Sequence, residues 1–475
     1  MNLHLIHTND VHSHLDHYLK VATQIRRLRE SLLARGETVF LFDIGDHADR
    51  MYPETEGTMG LVNASLLKAM QYDAWVFGNN EGLIIPRQHW EALCKMSATP
   101  VVTANLRDLD TGGRFPFFQD TLVIERNGVK VGVFGVTAPF NDYYHMEGTH
   151  ALDPLEQIPG LVRQLRMRGA EIVILLSHLG LSVDRKLAGM IEGVDIILGS
   201  HTHNVLEQPE RAGGLWIAQA GKFAQYFGHL VIDFDEAGRR VRGVSGGVIP
   251  RDEAVPADPD LQQILEAGRR QAEQVMDRMI VWLPERLDHH FHTESELGNL
   301  VADEMRKVAE AELALLNTGV FLFGLEPGPL TRRQLLACCP SPINPVLVEL
   351  SGRQIRSVLQ KALDPAYTHR RGMGFGFRGK EVGSLALSGL RVTHDAGGQI
   401  ERIEAAGQLI DDDRNYRVVT ADYLLFSGVY EELAGGEKIR IEPFFLRELI
   451  EQALRDPANI GRAKVRRWQQ RSLSA

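Results

Sequence analysis

Leu3-His4-Leu5-Ile6-His7-Thr8-Asn9-Asp10-Val11-His12 sets the pattern by which the rest of the chain is read. A strand-like apolar run ends in polar residues, with an aspartate and a histidine two positions apart. The same order returns further along. Phe40-Leu41-Phe42 leads into Asp43-Ile44-Gly45-Asp46-His47, and Ala74-Trp75-Val76-Phe77 into Gly78-Asn79-Asn80-Glu81. Ile174-Leu175-Leu176 runs into Ser177-His178, and Ile196-Ile197-Leu198 into Gly199-Ser200-His201-Thr202-His203. In layered α/β sheets ligands gather beyond the carboxyl ends of strands, so loops far apart in sequence can aim side chains at one spot.

Working outward, short apolar runs predict strands over 3–8, 38–42, 74–77, 100–104, 129–136, 172–176, 195–198 and 216–219. Apolar residues repeating at three and four predict helices over 19–34 and 155–168. The first 250 residues or so therefore read as layered α/β. A proline-spaced polar stretch follows Pro250, and then a charged helical segment over 261–279. The expected organisation is a first domain over 1–255, a linker helix over 256–282 and a second α/β or α+β domain over 283–475. The basic tail with Arg462, Lys464, Arg466, Arg467 and Arg471 reads as a solvated helix end.

The chain has 475 residues, enough for roughly three folding units of about 150 residues, or two large ones. Its 44% apolar and 24% charged residues suit a globular protein, and the net charge of −10 leaves no broad basic surface to wrap a nucleic-acid polymer. Cys94, Cys338 and Cys339 cannot build a disulfide framework. No apolar run approaches the ~18 residues of a membrane span, and the first residues lack the basic segment and apolar core of a secretory leader. The expectation is a cytoplasmic protein with a small-molecule partner, no membrane and no nucleic acid. Oligomeric state leaves no mark in the sequence.

The residue types point to phosphate-ester chemistry. A nucleophile must approach a group that is already anionic, and two divalent cations ~3.5–4 Å apart neutralise that charge and activate water near neutral pH. Such a pair needs a bridging carboxylate, with imidazole, carboxylate and amide ligands around it. Asp46 is the expected bridge. Asp10, His12 and His203 complete one site, and Asn79, His178 and His201 the other. This mixed set suits Mn, Zn, Fe or Co. Each residue alone has a plainer reading: His178 as a packed core histidine, Asp10 and His12 as a turn, Asp46 as a helix cap. Their shared position after strands decides for the metal reading. His7, His17, His229 and His394 read as ordinary packing or surface residues.

The arrangement resembles the calcineurin-like metallophosphoesterases and, with the second part, the bacterial 5′-nucleotidase family. The ligand set above matches the family position by position, including His203 in Gly-Ser-His-Thr-His. Glu296-Leu297-Gly298-Asn299-Leu300, Glu349-Leu350-Ser351-Gly352 and Leu387-Ser388-Gly389-Leu390 carry the likeness through the second domain. The resemblance implies a four-layer β-sandwich flanked by helices, followed by a C-terminal domain that recognises the nucleoside.

Departures from that pattern matter for mechanism. Relatives carry a histidine after the Gly-Asn of the third loop, oriented by an acid three residues on; this chain has Asn80 and Leu83. Asn80 can donate a hydrogen bond to a phosphoryl oxygen but cannot transfer a proton. His47 is the candidate to take over that role, with His14 beside it. The family's Asn-x-Gly-Gly-Ile-Arg reads Asn317-Thr318-Gly319-Val320-Phe321-Leu322, so an arginine has become Leu322. A family aromatic has become Ser384, and the acidic residue is missing from Phe426-Ser427-Gly428-Val429-Tyr430. The stretch 370–380 offers a replacement, with Arg371 and Arg378 for phosphate and Phe375 and Phe377 for stacking, alongside Asn317 and Tyr430. A basic glycine-rich loop with no ligand is the equal alternative. The resulting expectation is a dinuclear-metal phosphohydrolase acting on nucleotides or related esters. The alternatives are a cyclic-nucleotide or nucleotide-sugar phosphodiesterase, or a weakly active metal-binding protein that senses a phosphorylated ligand.

Overall fold

A computed structural model describes residues 1–372, 374 and 376–471. The chain divides into two compact units, Met1–Gln274 and Val275–Ala475. The helix Pro259–Met276, which lies in the segment expected to link the domains, is counted in large part with the first unit. Arg269 on that helix pairs with Asp16 at 2.7 Å.

Two sheets face each other in the first unit. In one, β1 (Asn2–Thr8), β2 (Thr38–Asp43) and β3 (Ala74–Trp75) run parallel. The antiparallel strands Tyr226–Asp235 and Arg240–Pro250 extend it beyond β1. In the other, Val129–Thr137, Ile172–His178, Ile196–Gly199 and Leu215–Ala218 are parallel neighbours, with antiparallel strands at both edges. Alternating residues explain the sandwich. Leu3, Leu5, Phe40 and Phe42 from one sheet meet Val131, Val133, Ile174 and Leu176 from the other in a shared, fully buried core. The opposite face of the second sheet, with Val173 and Leu175, buries Ile158, Leu161 and Leu165 of the helix Pro154–Met167. Outside the first sheet lies α1 (Leu15–Ala34), whose buried stripe includes Tyr18, Val21, Ala22 and Ile25. This is the expected four-layer α/β architecture.

The run 100–104 is not a strand. Val101 bridges to Trp75 of the first sheet and Thr103 to Gly135 of the second, so neither ladder can continue through it. Two strands lie outside the predicted set: Tyr226–Asp235, which buries Phe227, Leu230, Ile232 and Phe234, and Arg240–Pro250, whose glycines and exposed arginines mask its period.

The second unit is built on a five-stranded mixed sheet of Leu385–Ser388, Leu313–Asn317, Asn415–Ala421, Pro345–Ser351 and Glu437–Ile441. The helix Glu296–Val308 packs on it, capped by Ser295, whose hydroxyl accepts from the Gly298 amide. The tail corrects its expectation. Arg467 is buried and pairs with Asp303 at 2.6 Å, and Trp468–Gln470 forms a strand beside Leu390–His394. Cys94, Cys338 and Cys339 are buried free thiols. Among the described residues no helix is long and apolar enough to cross a membrane.

His7 on β1 is buried, its Nδ1 lacks a hydrogen-bond partner, and burial lowers its pKa to about 4. The unfolded chain takes up a proton near pH 6.5 that the folded chain refuses until about pH 4, so stability falls as pH drops through that window. This group should remove about 3 kcal/mol between pH 7 and 4. Denaturant unfolding at the two pH values checks this: His7→Leu should show the smaller acid loss.

Candidate metal centre

The parallel strands deliver the predicted loops to one place. Thr8 lies opposite Asp43, and beyond the strand ends the two loops stay paired. The amides of Asp10, His12 and Ser13 donate to the carbonyls of Gly45, Asp46 and His47 at 3.0, 2.8 and 2.9 Å. In the facing sheet Ser177 lies opposite Gly199, which places His178 beside the His201 loop.

Two groups of ligand-type atoms result. Asp10, His12 and His203 form one and Asp46, His178 and His201 the other, with the atoms of each group within 4.8 Å of one another. His12 Nε2 lies 3.1 Å from His203 Nε2, and Asn79 Oδ1 lies 2.8 Å from His201 Nδ1 and 3.2 Å from His178 Nε2. Asp46 joins them. Its Oδ1 is 3.4 Å from His178 Nε2, and its Oδ2 is 3.7 Å from His12 Nε2. All seven expected ligands, Asp10, His12, Asp46, Asn79, His178, His201 and His203, therefore meet.

The surroundings orient each donor. Asp10 Oδ2 accepts from Asn9 Nδ2, Ser200 Oγ and the His201 amide, which leaves Oδ1 toward His12 and His203. His178 Nδ1 donates to the Ile44 carbonyl at 2.7 Å, presenting the Nε2 lone pair to the site. Asp49 Oδ2 lies 3.5 Å from His12 Nδ1, while Nε2 of the same ring faces Asp10, Asp46 and His203. Buried Glu81 holds the second and third loops together: its carboxylate accepts from the amides of Asp46, Ala48 and Gly78 at 2.8–2.9 Å. Asp10, His12, Asp46, His201 and His203 all have positive φ, between 46° and 73°. Such strain, about 1–3 kcal/mol per residue, persists only where the surroundings over-determine it, and it clusters at functional sites.

The electrostatics fit a cation. Burial raises the pKa of Asp10, with Asp46 adding to it. Burial opposes charge on His178, yet Asp46 and Asp10 push it up to about 10. Burial pushes Asp46 up, but His178 and His12 hold it below the usual carboxylate range. His201 and His203 are lowered to about 4 and about 3, first by burial and then by neighbouring imidazoles, so their lone pairs are available at neutral pH. Two buried carboxylates thus demand positive charge beside imidazole and amide donors, the set that divalent transition ions take.

Comparisons with known proteins agree. The model for calcineurin-like phosphoesterases matches residues 3–205, and that for the 5′-nucleotidase C-terminal domain matches 279–431. A Bacillus subtilis protein described as an uncharacterized metallophosphoesterase, YunD, is 32% identical over 94% of this chain and 98% of its own length. This chain belongs to the calcineurin-like metallophosphoesterase family. It carries that family's two-domain 5′-nucleotidase form, and the family's members are hydrolases that use divalent metals. The trifunctional nucleotide phosphoesterase YfkN of B. subtilis is 25% identical over 92% of this chain and 33% of its own. A solved structure of a 5′-nucleotidase precursor from Thermus thermophilus shares the fold, with a TM-score of 0.60 and 23% identity over 99% of both chains.

The other site residues of this metallophosphoesterase are placed differently from expectation. His47 does not face the ligands. It is fully buried, 3.2 Å from Asn63 Nδ2 and edge-on to Tyr18, and burial lowers its pKa to about 3. That placement corrects the proton-transfer role expected of it. Asn80 is turned inward, its amide 3.0 Å from His12 Nδ1 and donating to the Ala48 carbonyl at 3.1 Å. It steadies the ligand frame rather than reaching outward.

In the second unit Phe377 and Tyr430 are buried. Phe377 stacks on Tyr423 with centroids 4.6 Å apart, so neither ring offers a base-stacking face. A Cβ on Gly372 or Gly379 would stand 2.1 or 2.4 Å from the Phe377 ring, so these glycines let the loop wrap its own aromatic. Asn317 is buried and donates to the Val382 carbonyl at 2.8 Å. Arg371 is exposed, the Arg378 amide donates to Ser341 Oγ, and Phe375 lies outside the described residues.

Asp49, Glu81 and Ser200 escaped the sequence reading. Glu81 was visible in its motif without a role, and Asp49 carried no signal beyond lying three residues after Asp46.

Gly78 admits no side chain, because its Cβ would lie 2.1 Å from Asp46 Oδ1 and 2.7 Å from His178 Cε1. Gly78→Ala should cut metal content and turnover together, by on the order of 10² or more, while leaving the far-ultraviolet circular dichroism intact. Asp49→Asn should weaken metal affinity by about 10–100-fold, read by titration of the metal-free protein.

Proposed function

We propose that the chain hydrolyses phosphate esters of nucleotides, using two divalent ions held by Asp10, His12, Asp46, Asn79, His178, His201 and His203. The observation that carries this reading is Asp46, with one carboxylate oxygen toward each ligand group. Bound ions supply charge neutralisation at the phosphoryl group and lower the pKa of water, and Mn, Zn, Fe or Co all suit the mixed donors. The protein's own part is orientation. Asp10 and Asp46 fix the anionic frame, the Ile44 carbonyl sets the His178 tautomer, Asp49 stands beside His12 Nδ1, and Asn79 presents its amide between His178 and His201. The second unit's family supports a nucleotide as the substrate.

A second reading rests on Asn80. It carries no transferable proton and is engaged with His12 and Ala48, so help to the leaving group, typically worth about 10²–10⁴-fold, is absent at this position. Nucleotide sugars, whose pyrophosphate bond releases a phosphate where a monoester releases an alkoxide, would suffer less from that absence, and cyclic nucleotides stand beside them as the other diester to be tried. The relative described as a trifunctional nucleotide phosphoesterase supports such breadth.

Release of phosphate or nucleotide from nucleoside 5′-monophosphates, cyclic nucleotides and nucleotide sugars in added Mn²⁺ tests both readings. The monophosphates should be hydrolysed, and Asp46→Asn should lower kcat/KM by on the order of 10³-fold. A preference for the diesters would favour the second reading. Metal-loaded protein that turns over nothing in the panel would reduce the centre to ligand binding.

A further inference from the structure

The second unit holds a convergence that the chemistry above does not use. His292, His369 and Glu381 come from separate chain segments, yet one ligand-type atom from each lies within 4.8 Å of the other two. His292 Nε2 is 3.2 Å from Glu381 Oε2, and the His292 and His369 rings stack with centroids 3.9 Å apart.

Main-chain hydrogen bonds hold the three segments together. The Ser384 amide donates to the Phe291 carbonyl, Gly383 to Thr368 and Val382 to Arg370, all at 2.8–2.9 Å. Each of the three side chains is therefore carried next to a residue pinned by backbone, and the meeting is not an accident of long flexible arms. His369 Nδ1 lies 3.1 Å from the Pro365 carbonyl. Donation there leaves Nε2 as the free lone pair, the arrangement by which outer partners fix a ligating imidazole.

The donor chemistry selects a cation. Arg370, Arg371 and Lys380 lie close in sequence and would draw an anion, but the carboxylate at 3.2 Å from His292 repels one. Two imidazoles and a carboxylate, with positions left for water, form the open set of two histidines and a glutamate that divalent transition ions take. The stacked rings bring both nitrogens to one ion once His292 turns about its side-chain bonds, which its 41% exposure permits.

We infer that His292, His369 and Glu381 bind a divalent transition-metal ion of the zinc class, separate from the centre at Asp46. The ion would join the segment leading into the helix Glu296–Val308 to both ends of the stretch 370–380. This inference does not rest on the phosphoesterase reading.

The test uses full-length protein free of any histidine tag, charged with Zn²⁺, dialysed against metal-free buffer and assayed for zinc by mass spectrometry. His369→Ala and Glu381→Gln should each carry about one equivalent less than the parent chain, and Asp46→Asn should keep that equivalent. In the Asp46→Asn background Co²⁺ should give a visible absorption band that His369→Ala removes. Equal zinc in the parent chain and both second-unit variants would overturn the proposal. So would a melting temperature raised by inorganic phosphate rather than by Zn²⁺ in a His369-dependent way, since that makes the cluster an anion site.

Discussion

Negative charge buried at the junction of two sheets is the constraint around which the first unit is organised. Asp10 and Asp46 are both withdrawn from water, and among the described residues their ion-pair partners are histidines rather than lysine or arginine. Burying carboxylates is expensive unless positive charge and donors surround them. The response of the fold is visible in detail: Asn9, Ser200 and the His201 amide feed one oxygen of Asp10, and four histidines crowd the remaining directions. The sandwich supplies the rigidity that this crowding needs, because every ligand loop begins where a buried parallel strand stops.

Strain and support are paired in this centre. Five ligands sit in left-handed backbone conformations that non-glycine residues avoid, and the loops carrying them are held by hydrogen bonds that continue the strand pairing. Glu81 completes the arrangement from beneath by binding three amides of two loops. The ligand geometry therefore belongs to the fold itself. It is set by main-chain bonds and buried packing, with the exposed side chains contributing little.

The sequence was most informative where chemistry and topology coincide. Apolar runs ending in Asp, Asn or His located the strand ends, and parallel pairing then obliged those ends to converge, so the meeting of the seven side chains was legible. Side-chain direction was not. His47 follows Asp46 directly, but the chain turns through left-handed conformations at Gly45 and Asp46, and His47 went to the interior beside Tyr18. Phe377 looked like a stacking face because glycines and arginines flank it, yet its own loop folds over it and Tyr423. Arg467 looked like tail polarity, and its burial comes from tertiary partners, Asp303 and the carbonyls of Leu387 and Asn299. Each of these depended on contacts distant in sequence, which periodicity cannot register.

The wrapping of Phe377 separates two tasks that a single loop often has to combine. Its stems are fastened by an aromatic plug and by the backbone bridge between Arg371 and Glu381, whereas the side chains of Arg371 and Lys380 stand at the surface. Side chains at those outward positions can change without loosening the anchor, so among descendants of this chain the surface charge of the second unit can drift while its architecture stays fixed.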